Sequence, residues 1–253
     1  AISRLAAVFA AEYAIDPGFV VVGEGSAASA RVQLRVIDAA GHVVGQITEM
    51  VELAHLAQGV RSIADRLHWT MGVAPGPGAG QPRSTGLPTG TEALLMYGQA
   101  LDLLARDAAA ARARLARGAS REPDCAGVHA ALARAWARSG EVDQARASAR
   151  AAVDRALSWP PRRRATLAFR TWYALGEWRP AAAAYEELIQ LGAEDLGLAI
   201  AYARVLMKAD RHADARGWMA ALRHRNRRAA RVPQLLFQDA QSAMFAFDCD
   251  AAV

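Results

Sequence analysis

The stretch LARAWARSGEVDQARASA, at residues 132–149, recurs in outline at residues 168–185 and 202–219. The copies lie 36 and 34 residues apart, and each holds in register a large apolar residue, a turn residue, a small residue and a gap-filling residue. These residues are Trp136, Gly140, Ala145 and Ala149, then Trp172, Gly176, Ala181 and Tyr185, and last Leu206, Asp210, Ala215 and Met219. A period of about 34 residues with this pattern indicates a helix-turn-helix repeat.

The small and large positions have separate packing roles in such a repeat. A small residue lets two helices approach closely, and a large one fills the groove of its partner helix. Apolar spacing and turn residues predict helices at about 91–105, 108–120, 125–139, 141–157, 161–175, 178–191, 194–208, 211–225 and 233–247. We therefore expect a mainly α protein, in which the repeats stack into a solenoid and the last helix caps the stack.

Residues 92–225 resemble tetratricopeptide repeats, most closely in Leu132–Ala145 and Phe169–Tyr185. Two features depart from the family pattern: Asp210 stands where glycine is usual, and the last two repeats lack the closing proline. The resemblance implies a tetratricopeptide-type α-solenoid that binds a peptide or protein on its concave face.

The chain before the repeats has the pattern of a small α+β domain. Apolar spacing predicts a helix over residues 1–14 that Asp16-Pro17-Gly18 ends, and the β-branched run at 19–22 predicts a short buried strand. Alternation over 31–51 predicts a β-hairpin, and an amphipathic helix is expected from 53 to 71.

The stretches Phe19–Gly25 and Val32–Gly41 resemble the TolB amino-terminal-like and FlgO-like domains of bacterial multidomain signalling proteins. That family has an earlier strand before the first helix, so the resemblance implies a domain truncated at its amino terminus. The domains predicted are 1–72 (small α+β), 73–90 (a flexible linker rich in proline and glycine) and 91–253 (helical repeats with a capping helix).

Composition and motifs limit the chemistry. Net charge is +5 and the pI about 9.7, with Lys208 as the single lysine, so the excess of arginine reflects either a GC-rich genome or an acidic partner. Cys125 and Cys249 form no metal-binding pattern, and HxxxH, HExxH and GxSxG do not occur. The sequence predicts no catalytic residues, no metal and no cofactor.

Candidate partner-binding residues follow from the inner positions of tetratricopeptide repeats. Six residues before each turn residue stand Arg134, Arg170 and Arg204. Two residues before it stand Arg138, Ala174 and Lys208, and Tyr173 is adjacent to Ala174. Guanidinium groups pair with carboxylates through two parallel donors. The hypothesis is a basic groove for an acidic peptide, and the alternative is chance in an arginine-rich chain.

The basic runs 162–164 and 224–228 are interpreted as solvated turns, because no aromatic residues interleave them as nucleic-acid binding would require.

The function expected is that of a non-catalytic protein-interaction or sensory region in a bacterial multidomain signalling or regulatory protein. One alternative is the carboxyl-terminal part of a nucleotide cyclase or Ser/Thr kinase, or of a winged-helix transcriptional regulator, with its effector domain upstream. Another is self-association into a homo-oligomer through the repeats. No apolar run is long enough for a membrane span, and residues 2–13 lack a signal-peptide pattern, so a cytoplasmic fragment of a longer protein is expected.

Overall fold

The computed structural model describes residues 13–23, 28–71, 86–192 and 195–226, together with Ala229, Val232, Leu235 and Gln238. The described chain is mostly helical, with an antiparallel three-stranded sheet ahead of the helices. Two compact units, Ala1–Gly98 and Gln99–Val253, divide inside the helix Thr91–Leu103. Most of the predicted linker, residues 1–12 of the helix proposed for 1–14, and most of the capping helix lie outside the described residues.

The sheet consists of β1 (Tyr13–Val22), β2 (Ser29–Asp38) and β3 (Val43–Glu52), in that spatial order. The predicted hairpin is confirmed, because β2 and β3 pair antiparallel, with a register shift next to Val36. Gly41 turns the chain between them at a φ of 96°. A single 3-10 turn, Leu53–His55, then leads into α1 (Leu56–Thr70), close to the predicted 53–71.

The structure corrects the prediction for the first strand. Tyr13 and Ala14, assigned to a helix, begin β1, and Asp16-Pro17-Gly18 continues the strand instead of separating two elements. Proline is tolerated there because β1 lies at the sheet edge, where only one side of the strand pairs. Asp16 also forms an ion pair with Arg35 of β2, which ties this segment to the sheet.

The prediction that residues 19–22 are buried is wrong. Phe19 is 76% exposed and Val20 62% exposed, since α1 packs on β3, which lies at the opposite edge of the sheet from β1. The backbone of α1 comes so close to β3 that a Cβ added to Gly59 would collide with Val51. The core of this unit therefore lies between α1 and the β2–β3 part of the sheet, with buried side chains at Val36, Ile47, Val51 and Ile63.

Eight further helices follow in the described residues. They are α2 (Thr91–Leu103), α3 (Ala108–Arg121), α4 (Ala126–Arg138), α5 (Val142–Arg155), α6 (Pro161–Leu175), α7 (Trp178–Gln190), α8 (Leu196–Lys208) and α9 (His212–Arg225). Each end lies within about two residues of its predicted position. Asp107 and Asp195 cap α3 and α8 by accepting hydrogen bonds from Ala110 and Leu198.

The three turn residues of the repeat share one backbone conformation. Gly140, Gly176 and Asp210 have φ values of 80°, 73° and 61°, in the left-handed region. Among the described residues, Asp210 alone adopts a positive φ without being glycine. The equivalence predicted from spacing is thus also an equivalence of geometry: each residue ends a helix and starts the turn to the next.

From α3 to α9 each helix packs on the next helix in the sequence, and α4 also packs on α6. Ala145, Ala181 and Ala215 are fully or almost fully buried, as their role at close helix contacts requires. Aromatic and aliphatic side chains fill the remaining space; Phe169, Tyr185, Leu206 and Met219 are among the most buried. Within the part of the chain that the structure describes, no helix combines the length and apolarity that crossing a bilayer would require.

Candidate functional site

The predicted partner-binding residues all lie on α4, α6 and α8, the first helices of the three repeat copies. None of these helices contains Asp or Glu, whereas α5, α7 and α9 each contain at least one acidic residue. The acidic side chains of this region are therefore concentrated on the alternate helices and the turns. The three first helices carry only cationic charge.

On α4, Arg134 and Arg138 are exposed and stand four residues apart, so they lie on the same side of the helix. Neither side chain forms a hydrogen bond or an ion pair with another described residue. The neighbouring Trp136 is half-buried, with the guanidinium of Arg112 from α3 lying 4.4 Å from its ring centroid. The donors of Arg134 and Arg138 are thus available to an external acceptor.

On α6, Arg170 is exposed and Tyr173 is half-buried one turn later. The ring of Tyr173 lies 5.7 Å from that of Phe169 and packs edge-on against Trp178 at 6.0 Å. These contacts hold the tyrosine in place, while Arg170 forms no hydrogen bond or ion pair with a described residue. The helix thus presents one fixed aromatic side chain beside one free cation.

On α8, Arg204 is partly buried and Lys208 is exposed. A guanidinium nitrogen, Nη1 of Arg204, donates to the hydroxyl of Tyr173 at 3.0 Å, which joins α8 to α6. The structure therefore brings two of the six predicted residues into direct contact. The other four, Arg134, Arg138, Arg170 and Lys208, make no contact of this kind with one another among the described residues.

Lys208 also lines a depression of about 350 Å³ between two turns of the repeat. One side is formed by residues 176–180, at the start of α7, and the other by residues 208–210, at the end of α8. Arg179 adds a second cation to this depression, and Glu177 and Asp210 add two carboxylates. The mixed charge makes it less suited to an anion than the first helices.

Three other arginines in the repeat region are held by carboxylates. Arg146 pairs with Glu177 at 2.6 Å, Arg164 with Glu187 at 2.5 Å, and Arg211 with Glu186 at 2.7 Å. Each pair joins different elements of the fold, so these arginines serve packing. Arg164 belongs to the run 162–164, which lies in the first turn of α6 and not in a turn between helices; the described part of the second run, residues 224–226, ends α9.

Sequence analysis missed an aromatic column through α6, α7, α8 and α9. Phe169, Tyr185, Tyr202 and Trp218 stand on α6, α7, α8 and α9 at intervals of 16, 17 and 16 residues, half the repeat period. Tyr185 stacks on Tyr202 at 4.4 Å, and Trp218 packs edge-on against both rings. The half-period spacing was visible in the sequence and could have revealed the column.

Buried titratable groups in this unit have shifted pKa values. Burial raises the pKa of Tyr202 to about 12, and its hydroxyl donates to Glu186 at 3.1 Å. Burial raises the pKa of the Cys125 thiol and lowers that of His129, whose Nε2 lies 2.8 Å from the carbonyl oxygen of Pro123. Among the residues described, no group of three or more His, Cys, Asp or Glu is placed to hold a metal ion.

Comparison with known proteins places the chain in no family. No protein-family model matches it, and no curated protein matches it significantly.

Proposed function

We propose that the helical unit is a tetratricopeptide-type solenoid that binds an acidic peptide segment of a protein partner. In this proposal it is a non-catalytic interaction region of a bacterial signalling or regulatory protein. The observation that carries the proposal is the segregation of charge: α4, α6 and α8 expose Arg134, Arg138, Arg170 and Lys208 and contain no carboxylate.

Successive helix contacts, buried alanines and left-handed turns support the repeat architecture. Chain segments that differ in sequence adopt the same turn at Gly140, Gly176 and Asp210, as stacked copies of one unit would. Contact between α4 and α6, and the Arg204–Tyr173 hydrogen bond between α8 and α6, make the first helices neighbours. Their cationic side chains can therefore form one continuous surface.

From α4 to α9, acidic residues occur on α5, α7 and α9 alone, and there Glu186 and Glu187 neutralise arginines of other elements. Arg164 of α6 is one of these, whereas Arg134, Arg138, Arg170 and Lys208 have no such partners among the described residues. An anionic segment from outside would supply them, with the flat guanidinium groups binding carboxylates through paired donors.

The expected affinity is modest and salt-dependent. An exposed pair of opposite charges contributes about 0.2–1 kcal/mol, so a partner needs several carboxylates to bind measurably. Screening acts over about 10 Å at 0.1 M salt, which should weaken such binding steeply as salt rises. The fixed, half-buried ring of Tyr173 offers an apolar contact beside Arg204.

The test compares two triple variants of equal charge. The groove variant carries Arg134→Glu, Arg138→Glu and Arg170→Glu, and the control carries Arg117→Glu, Arg150→Glu and Arg216→Glu on α3, α5 and α9. All six arginines are exposed. Binding of a fluorescein-labelled oligoglutamate peptide is measured by fluorescence anisotropy at low and physiological salt, with circular dichroism to verify folding.

We expect the groove variant to bind the peptide at least tenfold more weakly than the native chain, and the control to stay within threefold of it. Equal loss in both variants would mean that the peptide responds only to net charge, and the groove hypothesis would be rejected. Undiminished binding by the groove variant would reject it as well.

A further inference from the structure

A partly open cavity of about 140 Å³ lies between α7, α8 and α9. Its apolar wall includes Trp218 and Leu222 of α9, and the ring of Tyr185 closes one side. Asp195, which caps α8, and Arg225, at the end of α9, bring one negative and one positive charge to the same cavity. None of these residues belongs to the basic surface described above.

The hydroxyl of Tyr185 lacks a partner within the described structure. Tyr185 is only 2% exposed and lines the cavity, yet it forms no hydrogen bond with any described residue. Its neighbours are satisfied: Tyr202 donates to Glu186, and Nε1 of Trp218 donates to the carbonyl of Ala199 at 2.9 Å. Because the cavity is partly open, this hydroxyl is free to bond a polar group that enters it.

The two charges have donors and acceptors to spare. Oδ1 of Asp195 accepts from the backbone of Leu198 at 2.9 Å, while Oδ2 has no hydrogen-bond donor among the described residues. The guanidinium carbon of Arg225 lies 5.2 Å from the centroid of the Trp218 ring, and Nε contacts the carbonyl of Ala221, which leaves the terminal nitrogens available.

Both charges act on the Tyr185 hydroxyl. Burial is the main cause that raises the pKa of Tyr185, the Asp195 carboxylate raises it further, and the Arg225 guanidinium opposes them. An anion, a cation and an unpaired hydroxyl therefore face one small apolar space. A ligand that satisfied all three would carry both an ammonium and a carboxylate next to an apolar group.

We propose that this cavity binds a free α-amino acid with an apolar side chain. The ammonium would pair with Asp195 and the carboxylate with Arg225, while the side chain packs on Trp218 and Leu222. The Tyr185 hydroxyl would donate to the ligand carboxylate. A cavity of about 150 Å³ accommodates benzene, so this one has room for an apolar side chain. The charged groups of the ligand would lie at its open side, because Asp195 and Arg225 are exposed. This site does not depend on the groove proposed for a protein partner.

The test is isothermal titration calorimetry on the full chain with L-leucine and L-phenylalanine. Three comparison compounds each lack one feature: glycine has no apolar side chain, phenethylamine no carboxylate, and 3-phenylpropionate no ammonium. We expect saturable binding of at least one of the two amino acids, and at least tenfold weaker binding of all three comparison compounds. No saturable heat with either amino acid, or equal binding of a compound with a single charge, would overturn the proposal.

Variants assign the binding to this cavity. Asp195→Asn removes the charge but retains a helix-capping side chain, and Arg225→Gln removes the cation. We expect each, and Tyr185→Phe, to weaken binding at least tenfold. The controls Asp143→Asn and Arg216→Gln change the same charges at exposed positions outside the cavity. Equal weakening in the controls, or unchanged binding in Asp195→Asn and Arg225→Gln, would overturn the site even if Tyr185→Phe failed to fold.

Discussion

Replacing glycine by alanine should have opposite effects on stability in the repeat turns and inside a helix. Gly140 and Gly176 have left-handed backbones, with φ of 80° and 73°, whereas Gly217 lies within α9. A Cβ at Gly140 or at Gly217 would meet no atom within 4 Å, so space is equal and backbone conformation alone distinguishes these two sites. We predict that alanine destabilises the chain at Gly140 and stabilises it at Gly217.

The magnitudes follow from backbone conformation. A left-handed conformation costs an L-residue roughly 1–2 kcal/mol, and the reduced entropy of the unfolded chain returns about 0.4–1 kcal/mol. Gly140→Ala should therefore lose about 1 kcal/mol. Gly176→Ala should lose a similar amount, since its Cβ would lie in van der Waals contact with the ring of Trp178, at 3.4 Å. Gly217→Ala should gain about 0.5–1 kcal/mol, because glycine weakens a helix interior by that amount.

Thermal and urea unfolding followed by far-ultraviolet circular dichroism measures these differences. For a chain of this size, 1 kcal/mol corresponds to about 2–4 °C in Tm. Asp210→Gly is the reverse substitution, because Asp210 occupies the same turn position at a φ of 61°. We expect it to raise the free energy of unfolding by less than about 1 kcal/mol. A Gly140→Ala variant as stable as the native chain would refute the argument that these turns require a left-handed residue.

Two further predictions concern the core and its response to pH. Phe169→Ala should lose about 3–5 kcal/mol of unfolding free energy, since Phe169 is almost fully buried against Tyr173 and Tyr185. The control Arg170→Ala, at the next residue, should change the unfolding free energy by no more than about 0.5 kcal/mol. Similar losses for the two variants in urea unfolding would contradict this prediction. Burial lowers the pKa of His129, so the unfolded chain binds a proton more readily, and stability should decrease as pH falls through about 6.5. His129→Gln should reduce that slope in unfolding measured between neutral and mildly acidic pH, and an unchanged slope would exclude His129 as its source.

Local signals explain why the helices could be predicted. Glycine or aspartate ends each repeat's first helix in a left-handed turn, Asp195 caps α8, and Pro161 begins α6. These signals act within a few residues of the chain. The same kind of signal misled at Asp16-Pro17-Gly18, because an edge strand tolerates proline and the Arg35 partner of Asp16 comes from another strand.

The candidate sites depended on contacts distant in sequence. Register predicted Arg204 at an inner position and Tyr173 next to one, but only the packing of α8 on its neighbours showed that the two side chains bond to each other. The absence of acidic residues from α4, α6 and α8 can be read from the sequence. Only the structure shows that Glu186 and Glu187 form ion pairs with arginines of the same unit. Register could not identify the cavity around Tyr185, since its lining comes from three helices.

The sequence by itself determined the helices, their turns and the buried alanines at Ala145, Ala181 and Ala215, because periodicity and backbone preference are local properties that repeat every 34 to 36 residues. Tertiary structure decided which side of the sheet α1 covers, which arginines have internal partners and where an unpaired hydroxyl faces open space. Those outcomes depend on which surfaces exclude water from each other and which charges meet, and such pairings are made between segments far apart along the chain.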